Sequence, residues 1–209
     1  MTSLNRRIAV LISGRGSNLQ SIIDAITSRR LDATLAVVIS NRSDAAGLQR
    51  ASSSGIEAAC VLPKDYPTRD ACDLAIVDIL RARDVGLVCL AGYMRILGRP
   101  MLEAFHHRIL NIHPSLLPSF PGLDAQRQAL EYGVGVTGVT VHLVTDGLDD
   151  GPIVAQRAVP VLAEDSVETL GARILVEEHR IYPEAIGLVL DGAWSVDGRR
   201  FVRRSAAGG

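Results

Sequence analysis

The chain has 209 residues, of which 47% are hydrophobic and 22% are charged, and its formal net charge is -1. This apolar fraction and balanced charge exclude disorder as the main state, and the length suffices for a sizeable core. With 22 Lys and Arg against 23 Asp and Glu there is no overall positive field, so neither nucleic acid nor a membrane surface is expected as a partner. A local phosphate site, which needs only a few donors, remains compatible with this balance.

Three cysteines, Cys60, Cys72 and Cys89, lie far apart in the sequence and form no Cys-x-x-Cys pair. None has a histidine at the spacing of metal ligands, so neither a disulfide framework nor a metal site is expected. The first apolar run, residues 8–12, is too short for the core of a secretion signal, and no run approaches the roughly 18 residues of a membrane span. These features predict a cytoplasmic protein in a reducing compartment.

Short apolar runs alternate with amphipathic stretches through the first half of the chain. The order β-α-β-α-β-α-β predicts an α/β fold: a mostly parallel, doubly wound (Rossmann-like) sheet with helices on both faces. Ser43 is a candidate N-cap, Pro67 is a candidate helix start, and Leu74 and Val77 are expected to face inward. Strands are predicted over residues 7–12, 35–40, 57–62 and 86–91, and helices over residues 18–29, 43–53 and 67–83.

The second half continues the pattern without a repeat or a linker, so a single domain over residues 1–209 is predicted. Ser166 is a candidate N-cap for a long helix that Pro183 is expected to interrupt. A hairpin around Asp197 and Gly198 follows, and a tail at residues 205–209 is expected to fray. Strands are predicted over residues 108–112, 136–144 and 153–161, helices over residues 124–132 and 167–190, and hairpin strands over residues 193–195 and 200–202.

The first candidate site is the glycine-rich turn at residues 13–18, between the first predicted strand and the first predicted helix. Main-chain amides at a helix N-terminus, laid bare by glycine, suit a phosphate. As a dinucleotide fingerprint the turn fails, because Leu19 stands where the third glycine belongs and no acidic residue ends the second strand. It is not a Walker loop either. The turn therefore favours a monophosphate over NAD, and a ligand-free glycine turn is the alternative.

The second candidate site is the pair Asn111 and His113 at the end of a predicted strand. Because side chains alternate along a strand, the two share a face at the C-terminal edge, where ligands bind in open α/β sheets. An amide beside an imidazole can polarise a carbonyl and move a proton. The alternative is that His113, which precedes a proline, only caps or packs.

The third candidate is the glycine- and proline-containing turn at residues 146–152, which carries Asp146, Asp149 and Asp150. Three carboxylates in such a turn are typical of a solvated loop or, less often, of a cation site. The calcium pattern Asp-x-Asp-x-Asp-Gly is absent from it. The turn gains meaning only if it faces Asn111 and His113.

The fourth candidate is Glu178, which falls on the apolar stripe of the last long helix, four residues after Ile174. A carboxylate on such a face is costly unless it is paired, and this makes Glu178 a ligand candidate. The alternative is a glutamate at the edge of the stripe that pairs with Arg173 or Arg180.

Four motifs together resemble the phosphoribosylglycinamide formyltransferase family, over about residues 6 to 190. The motifs are SGRGSNLQ at residues 13–20, AGYMRIL at 91–97, NIHPSLLP at 111–118 and DDGP at 149–152. The resemblance implies the formyltransferase fold. It further implies a phosphate-binding half at about residues 6–105, a catalytic and folate-binding half at about residues 106–190, and a C-terminal hairpin and tail at residues 191–209.

The family transfers a formyl group from 10-formyltetrahydrofolate to the amine of glycinamide ribonucleotide in purine synthesis, without a metal. The resemblance thus implies small-molecule substrates, no nucleic-acid or membrane partner, and a possible homodimer. It implies a catalytic trio of Asn111, His113 and Asp149. It implies substrate contacts for Gly16, Ser17, Asn18 and Glu178, and folate contacts for Arg69, Met94, Arg95, Ile96, Leu97, Asn111, Thr145, Asp146 and Asp149.

The trio suits the chemistry of this reaction. When the amine attacks the formyl carbon, negative charge develops on the formyl oxygen. Asn111 and protonated His113 would donate to that oxygen, a contact whose loss costs roughly 3 kcal/mol. Asp149 would favour the imidazolium form of His113 and could hold a water that carries the amine proton to the leaving nitrogen.

Some positions depart from the family pattern. Arg15 replaces a smaller polar residue in the phosphate loop, where it either contacts the phosphate or points to solvent. Asp150 replaces a glycine and so places a second carboxylate beside Asp149. Leu175 and Val176 are apolar where polar substrate contacts can occur. These changes concern substrate affinity more than the class of reaction.

Other functions compete with this interpretation. Related formyltransferases use another acceptor, and formyltetrahydrofolate hydrolase uses water. Methionyl-tRNA formyltransferase would carry a further C-terminal domain, and the hydrolase would carry an N-terminal regulatory domain. Neither domain is expected here. A non-catalytic folate- or nucleotide-binding module would not need Asn111, His113 and Asp149 together. A dinucleotide oxidoreductase is disfavoured by the incomplete glycine pattern.

Overall fold

The computed structural model of the protein describes residues 5–204, and the predicted tail at residues 205–209 lies outside this range. The described chain forms nine strands, six α-helices and a short 3-10 helix at Pro63–Asp65. The strands are β1 (Arg7–Ile12), β2 (Thr34–Ser40), β3 (Ala58–Cys60), β4 (Leu87–Leu90), β5 (Ile109–His113), β6 (Val136–Leu143), β7 (Ile153–Pro160), β8 (Trp194–Asp197) and β9 (Arg200–Arg203). The helices are α1 (Ser17–Thr27), α2 (Ala46–Ser53), α3 (Arg69–Arg81), α4 (Arg99–Ala104), α5 (Ala125–Tyr132) and α6 (Val167–Leu190).

All nine of these strands belong to one sheet, in the order β3-β2-β1-β4-β5-β6-β7-β9-β8. The pairings β3-β2, β2-β1, β1-β4 and β4-β5 are parallel. Strand β6 runs antiparallel to both of its neighbours, β5 and β7. The C-terminal hairpin extends the same sheet, because β9 pairs with β7 through Ile153 and Arg200. The predicted α/β class with a mostly parallel, doubly wound sheet is confirmed.

An apolar core covers each face of the sheet, since the side chains of a strand alternate between the two faces. In β1, Ile8 and Val10 belong to the core shared with α1 and α6. Their neighbours Ala9 and Leu11 belong to the core shared with α3 and α4. Helices therefore lie on both faces, as the sequence predicted, and none within residues 5–204 is long and apolar enough to cross a bilayer.

The C-terminal ends of the parallel strands β1, β4 and β5 lie side by side and form one edge of the sheet. Leu11 of β1 is in register with Leu90 of β4, and Leu90 is in register with Asn111 of β5. Adjacent strands lie about 4.8 Å apart, so Leu11 and Asn111 are separated by roughly 10 Å. The amide of Ser13 also donates to the Gly92 carbonyl at 3.1 Å, which ties the two following loops together. The segments that begin here carry three of the four motifs.

The start of α2 differs from the prediction. The helix begins at Ala46, and its N-cap is Ala45 without a side-chain hydrogen bond, so Ser43 does not cap it. The amide of Gly47 instead donates to the Gly14 carbonyl at 3.0 Å. A Cβ atom at Gly47 would lie 2.4 Å from Ile12 Cδ1 and 3.3 Å from the Gly14 carbonyl oxygen, so glycine favours the close approach. Packing against the turn at residues 13–18, rather than a polar cap, sets this helix start.

Two further differences concern α3 and α4. The N-cap of α3 is Thr68, whose hydroxyl accepts a hydrogen bond from the Ala71 amide, so Pro67 precedes the helix. Leu74 is exposed although it was predicted to face inward, and Asp73 is buried in its place. The sequence pattern did not predict α4, whose six residues are too few to show a helical period.

The long helix α6 is continuous across Pro183. Proline removes one helical hydrogen bond, but this segment is held by packing, because Tyr182 and Ile186 are fully buried. The Tyr182 hydroxyl donates toward the carbonyl oxygens of Leu90 and Leu110, at 2.8 and 3.2 Å. The predicted interruption is therefore wrong. The predicted Ser166 cap is confirmed as a capping box with Thr169.

Candidate active site

Strand register brings the first polar side chains of the site together. Asn111 and His113 point to the same face of β5, and β6 runs antiparallel beside it. The register places His142 of β6 directly opposite Asn111. The Asn111 Nδ2 and His142 Nε2 atoms are 3.2 Å apart. His142 thus joins the two residues predicted from the sequence.

The turn after β6 places Asp149 against this group. Asp149 Oδ2 lies 3.3 Å from His113 Nδ1, and Asp149 Oδ1 lies 3.4 Å from Asn111 Nδ2 and 3.7 Å from His142 Nε2. The Gly122 amide donates to Oδ2 at 2.8 Å. Asp149 holds a left-handed backbone with φ of 50°, which is uncommon outside glycine and often marks a functional constraint. Because three of them are predicted to be catalytic, we call this group of four side chains the catalytic cluster: Asn111, His113, His142 and Asp149.

The hydrogen bonds of the two imidazoles distinguish their roles. His113 Nε2 lies 2.8 Å from the Phe120 carbonyl oxygen while Nδ1 faces Asp149, so each N–H of an imidazolium would have an acceptor. His142 Nδ1 lies 3.0 Å from the Leu143 carbonyl oxygen. In the neutral ring with its proton on Nδ1, Nε2 accepts from Asn111; in the protonated ring, Nε2 donates toward Asp149 Oδ1 instead. His113 is therefore built as a donor and His142 as an orienting partner of Asn111.

The carboxyl group of Asp149 is held in its ionised form. Burial acts to raise the pKa of Asp149, but the contact with His142, the Gly122 amide and the positive charge of His113 together outweigh burial. The pKa of Asp149 consequently lies below its ordinary value. An ionised Asp149 can accept hydrogen bonds from several donors at once and can hold a water beside His113.

The glycine-rich turn forms a cradle of main-chain groups. Gly16 is the N-cap of α1 and has a left-handed backbone with φ of 72°. A Cβ atom at Gly16 would lie 2.9 Å from the Gly47 Cα atom. The amides of Ser17 and Asn18 are in the first turn of α1, where main-chain donors have no partner within the helix. No acidic residue lies in that turn, so the dipole of α1 favours an anion there.

Two arginines lie at this turn. The Arg15 side chain is exposed. Of the two alternatives for this residue, contact with the phosphate or orientation toward solvent, the structure has the second. Arg50 of α2 donates from Nε to the Arg15 carbonyl at 2.9 Å and from Nη1 to Gln20 at 3.3 Å. The charge of Arg50 is thereby fixed beside the cradle. No sequence motif points to Arg50, because it lies in α2, away from the glycine-rich turn in the sequence.

The predicted substrate residues Asn18 and Glu178 contact each other. Asn18 Nδ2 donates to Glu178 Oε2 at 2.7 Å, and Glu178 is only 9% exposed. Burial is the larger influence and raises the pKa of Glu178 above its ordinary value, although the Asn18 bond acts the other way. The alternative pairing is wrong, since Arg173 pairs with Asp165 and Arg180 pairs with Glu177. Glu178 is a buried acceptor at the α1–α6 contact.

The segment after β4, which we call the 94–98 segment, presents apolar side chains to the outside. Met94 is 69% exposed and Ile96 is 64% exposed, whereas Leu97 packs into the core. The Arg95 side chain turns inward, toward the Arg69 carbonyl at 3.2 Å and Asp73 at 3.3 Å. A ligand on this segment can therefore meet the main chain of Arg95 but not its guanidinium group.

The remaining predicted folate residues lie at the surface. Arg69 is exposed at the start of α3, and Asp146 is exposed in the turn that carries Asp149. Thr145 in the same turn is half-buried. Asp150 does not enter the catalytic cluster. It pairs instead with Arg199 of the β8–β9 turn, whose Nη2 atom lies 2.6 Å from Asp150 Oδ1.

Metal ligands form no group in the part of the chain that the structure describes. No three His, Cys, Asp or Glu side chains within residues 5–204 are placed to hold a metal ion. In the turn at residues 146–152, Asp149 contacts His113 of the catalytic cluster and Asp150 forms an ion pair with Arg199. The arrangement as a whole offers a phosphate cradle, a buried acceptor and an imidazole–carboxylate–amide group along one edge of the sheet.

Comparisons with known proteins identify the family and the fold of the chain. The formyl transferase family model matches residues 6–186. The phosphoribosylglycinamide formyltransferase of Escherichia coli (strain K12) is 44% identical over 200 residues, which cover 96% of this chain and 92% of that protein. A solved structure of glycinamide ribonucleotide transformylase 1 from Symbiobacterium toebii superposes with a TM-score of 0.94 at 58% identity and covers 95% of this chain and 94% of that one.

Longer relatives contain the same region as one part. The trifunctional purine biosynthetic protein adenosine-3 of Drosophila pseudoobscura pseudoobscura is 47% identical over 190 residues. The match covers 90% of this chain, which spans only 14% of the length of that relative. The matches to the single-function and the trifunctional relatives cover 96% and 90% of this chain. The chain belongs to the formyl transferase family.

Proposed function

We propose that the protein transfers the formyl group of 10-formyltetrahydrofolate to the amine of N1-(5-phospho-D-ribosyl)glycinamide, a step of purine biosynthesis. The observation that carries the proposal is the placement of the catalytic cluster and the phosphate cradle along one edge of the sheet. The in-register positions Leu11, Leu90 and Asn111 set the spacing between them. This spacing suits a substrate with a phosphate at one end and a nucleophile at the other.

The cradle supports a phosphate as the far end of the substrate. Gly16 approaches Gly47 too closely for any side chain, and the α1 amides of Ser17 and Asn18 point outward from the helix start. Arg50 adds a positive charge. The Asn18 side chain is occupied by Glu178, so Asn18 would serve the phosphate through its main chain. Glu178 then offers an acceptor to the hydroxyl or amine groups of the substrate.

The 94–98 segment and the turn at residues 145–149 support a folate as the second substrate. Met94 and Ile96 offer exposed apolar surface, on which a flat aromatic ring can pack. Main-chain groups of Arg95 and polar groups of Thr145 and Asp146 lie in the same two segments. Arg69 is an exposed cation that suits a carboxylate on the folate tail.

The catalytic cluster supplies the proton chemistry. The donor brings a formyl carbon that the substrate amine can attack, after which the bond from that carbon to the folate nitrogen breaks. Asn111 donates a hydrogen bond to the oxygen on which charge builds up, and His113 does so from Nε2, which exchanges the Phe120 carbonyl for that oxygen when the substrates bind. Asp149 keeps His113 oriented through Nδ1 and can hold a water for the proton that leaves the amine and ends on the folate nitrogen.

Turnover with and without the acceptor tests the proposal. Purified protein is mixed with 10-formyltetrahydrofolate, with or without the ribosylglycinamide, and the formylated product is identified by mass spectrometry. We expect loss of the donor only when the acceptor is present, and at least 100-fold less product with His113→Ala. Donor loss without acceptor would instead indicate a hydrolase. No turnover by a protein that binds the donor would contradict the acceptor assignment.

Three attributes accompany the proposal. One domain that works as a phosphate-binding half and a catalytic half is supported by the single sheet that runs through the described chain. A cytoplasmic location is supported by Cys60, Cys72 and Cys89, all of which are free thiols. A homodimer stays a prediction, and sedimentation velocity distinguishes it from a monomer.

A further inference from the structure

Asp73 is a fully buried carboxylate on the inner face of α3. Its exposed fraction is 0%, and its neighbours in the core include Cys72, Ile76 and Val77. A carboxylate in such surroundings is strongly unfavourable unless charged or hydrogen-bonding groups compensate it. The groups that compensate Asp73 therefore indicate what its burial achieves.

Both carboxylate oxygens face the 94–98 segment. Oδ2 accepts a hydrogen bond from the Gly98 amide, and Oδ1 lies 3.3 Å from Arg95 Nη1 in an ion pair. Arg95 is further fixed by the Arg69 carbonyl and the Cys72 sulfur atom, at 3.2 and 2.9 Å. Asp73 thus binds this segment near its beginning and at its end, from the side of the core.

The absence of a side chain at Gly98 makes this contact possible. A Cβ atom at residue 98 would lie 2.8 Å from Asp73 Oδ2 and 2.8 Å from Asp70 Oδ1. The Gly98 backbone therefore sits directly on the two carboxylates. Because Met94 and Ile96 point the opposite way, the inward contacts leave the outer surface of the segment open.

We infer that Asp73 is a positioning residue for folate binding: through Arg95 and the Gly98 amide it fixes the main chain of the 94–98 segment in the shape that receives the ligand. The inference rests on the proposed function, because it takes this segment to be the folate site. Asp73 itself does not touch the ligand. Arg95 likewise acts from behind, as the cation that pairs with Asp73 rather than as a ligand contact.

Titration of the groups around Asp73 agrees with this geometry. Burial is the largest influence and raises the pKa of Asp73, while the Gly98 amide, Arg95 and Arg69 act to lower it and Asp70 acts to raise it. Burial also raises the pKa of the adjacent Tyr93 hydroxyl to about 12. Tyr93 thus stays neutral near pH 7, and Arg95 is the side chain that pairs with the buried charge of Asp73.

Two affinities separate a positioning role from a general structural role. Calorimetry measures the Kd of 10-formyltetrahydrofolate and, separately, the Kd of the ribosylglycinamide, for the wild type and for Asp73→Asn. We expect the Kd of the folate to rise roughly tenfold, as when a charge-assisted contact is lost, and the Kd of the ribosylglycinamide to stay within about twofold. Asp78→Asn, an exposed carboxylate on the same helix, serves as the matched control.

Each outcome decides a different point. Equal weakening of both substrates by Asp73→Asn, or no weakening at all, would overturn the inference. If Asp73→Asn does not fold, Arg95→Lys, which keeps the charge but not the reach, replaces it in the same comparison. If the wild type binds folate but does not transfer its formyl group, the proposed function is wrong, while the inference about Asp73 is unaffected. A wild type that does not bind folate would overturn both.

Discussion

The two ends of the candidate site are built from different parts of the chain. At the phosphate end, Gly16 and the first amides of α1 provide main-chain groups, and side chains serve mainly to hold them. At the other end, the site is made of the side chains of the catalytic cluster. A polar atom of each member lies within 3.7 Å of a polar atom of another member. The first end depends on backbone shape and the second on the identity of each functional group.

The two ends also differ in the environment of their buried carboxylates, Glu178 near the phosphate end and Asp149 in the catalytic cluster. Glu178 has one amide donor and a buried environment, so its pKa is raised. Asp149 has two imidazoles, an amide and a main-chain N–H as neighbours, so its pKa is lowered despite burial. Of these two buried carboxylates, the one with more donors around it therefore has the lowered pKa. This difference predicts opposite responses to mutation and to pH at the two ends.

The largest expected effect is at the catalytic cluster. Asp149→Asn removes the charge that orients His113 but keeps the shape, so we expect kcat to fall on the order of 100- to 10,000-fold while substrate affinities change little. Initial rates at saturating substrates measure this loss. His106→Ala, which removes an exposed histidine outside the cluster, should keep wild-type kcat. A fall in kcat of less than tenfold for Asp149→Asn would contradict the assignment.

The phosphate end should respond strongly to the shape of the backbone. Gly16→Ala adds a Cβ atom 2.9 Å from Gly47 Cα at a left-handed position, where a side chain costs about 1–2 kcal/mol. We expect KM for the ribosylglycinamide to rise about tenfold with kcat nearly unchanged. Gly14→Ala is the matched control, because a Cβ atom there meets nothing within 4 Å. Equal effects of the two substitutions would disprove the cradle.

Local segments of both ends are predictable from the sequence. The limits predicted for β1 coincide with Arg7–Ile12, because a buried apolar run ends at a polar turn. Asn111 and His113 share a face because strand alternation requires it. Glu178 attracts notice because a charge interrupts an apolar stripe. Each of these inferences uses neighbours in the sequence only.

Contacts between distant segments are not predictable in this way. His142 was missed because its position opposite Asn111 depends on the register of two strands 31 residues apart. Asp73 was missed because the inward face of α3 is chosen by the loop that packs on it, which leaves Leu74 exposed. The family resemblance distinguished Asp149 from the other carboxylates of its turn, whereas its contact with the Gly122 amide required the structure.

The pH dependence of stability should have opposite signs at the two carboxylates. The raised pKa of Glu178 means that its charge destabilises the fold as pH rises from its ordinary value of 4.5 through the folded value. The lowered pKa of Asp149 means that its charge stabilises the fold above 3.8 and that this gain is lost as pH falls through the folded value.

Urea unfolding between pH 2 and pH 8 measures this contrast, because the Asp149 change falls below pH 3.8 and the Glu178 change falls above pH 4.5. Relative to the wild type, we expect Glu178→Gln to gain stability as pH rises and Asp149→Asn to lose it, by on the order of 1 kcal/mol each. Glu131→Gln, at an exposed position of α5, controls for the loss of a negative charge in general. Parallel pH profiles for the two site variants would show that the carboxylates do not differ as described.

The smallest expected effect joins the catalytic end to the C-terminal hairpin. Arg199 donates to the main-chain and side-chain oxygens of Asp150, at 2.9 and 2.6 Å, and so restrains the turn that carries Asp149. Because both side chains are exposed, the pair contributes little and salt screens it. Arg199→Ala should raise KM for the folate by less than about threefold at low salt and not at all at 0.5 M salt.

A charge exchange and a neighbouring variant make this small effect interpretable. Arg199→Asp should raise the folate KM more than Arg199→Ala does, because it places two acidic groups side by side. Adding Asp150→Arg should restore the affinity, since the ion pair then re-forms with its charges reversed. Arg200→Ala removes a neighbouring exposed arginine and should leave the KM unchanged. Without rescue in the exchanged pair, the restraint would lie in the hairpin backbone, where β9 meets β7 through Ile153, rather than in the two charges.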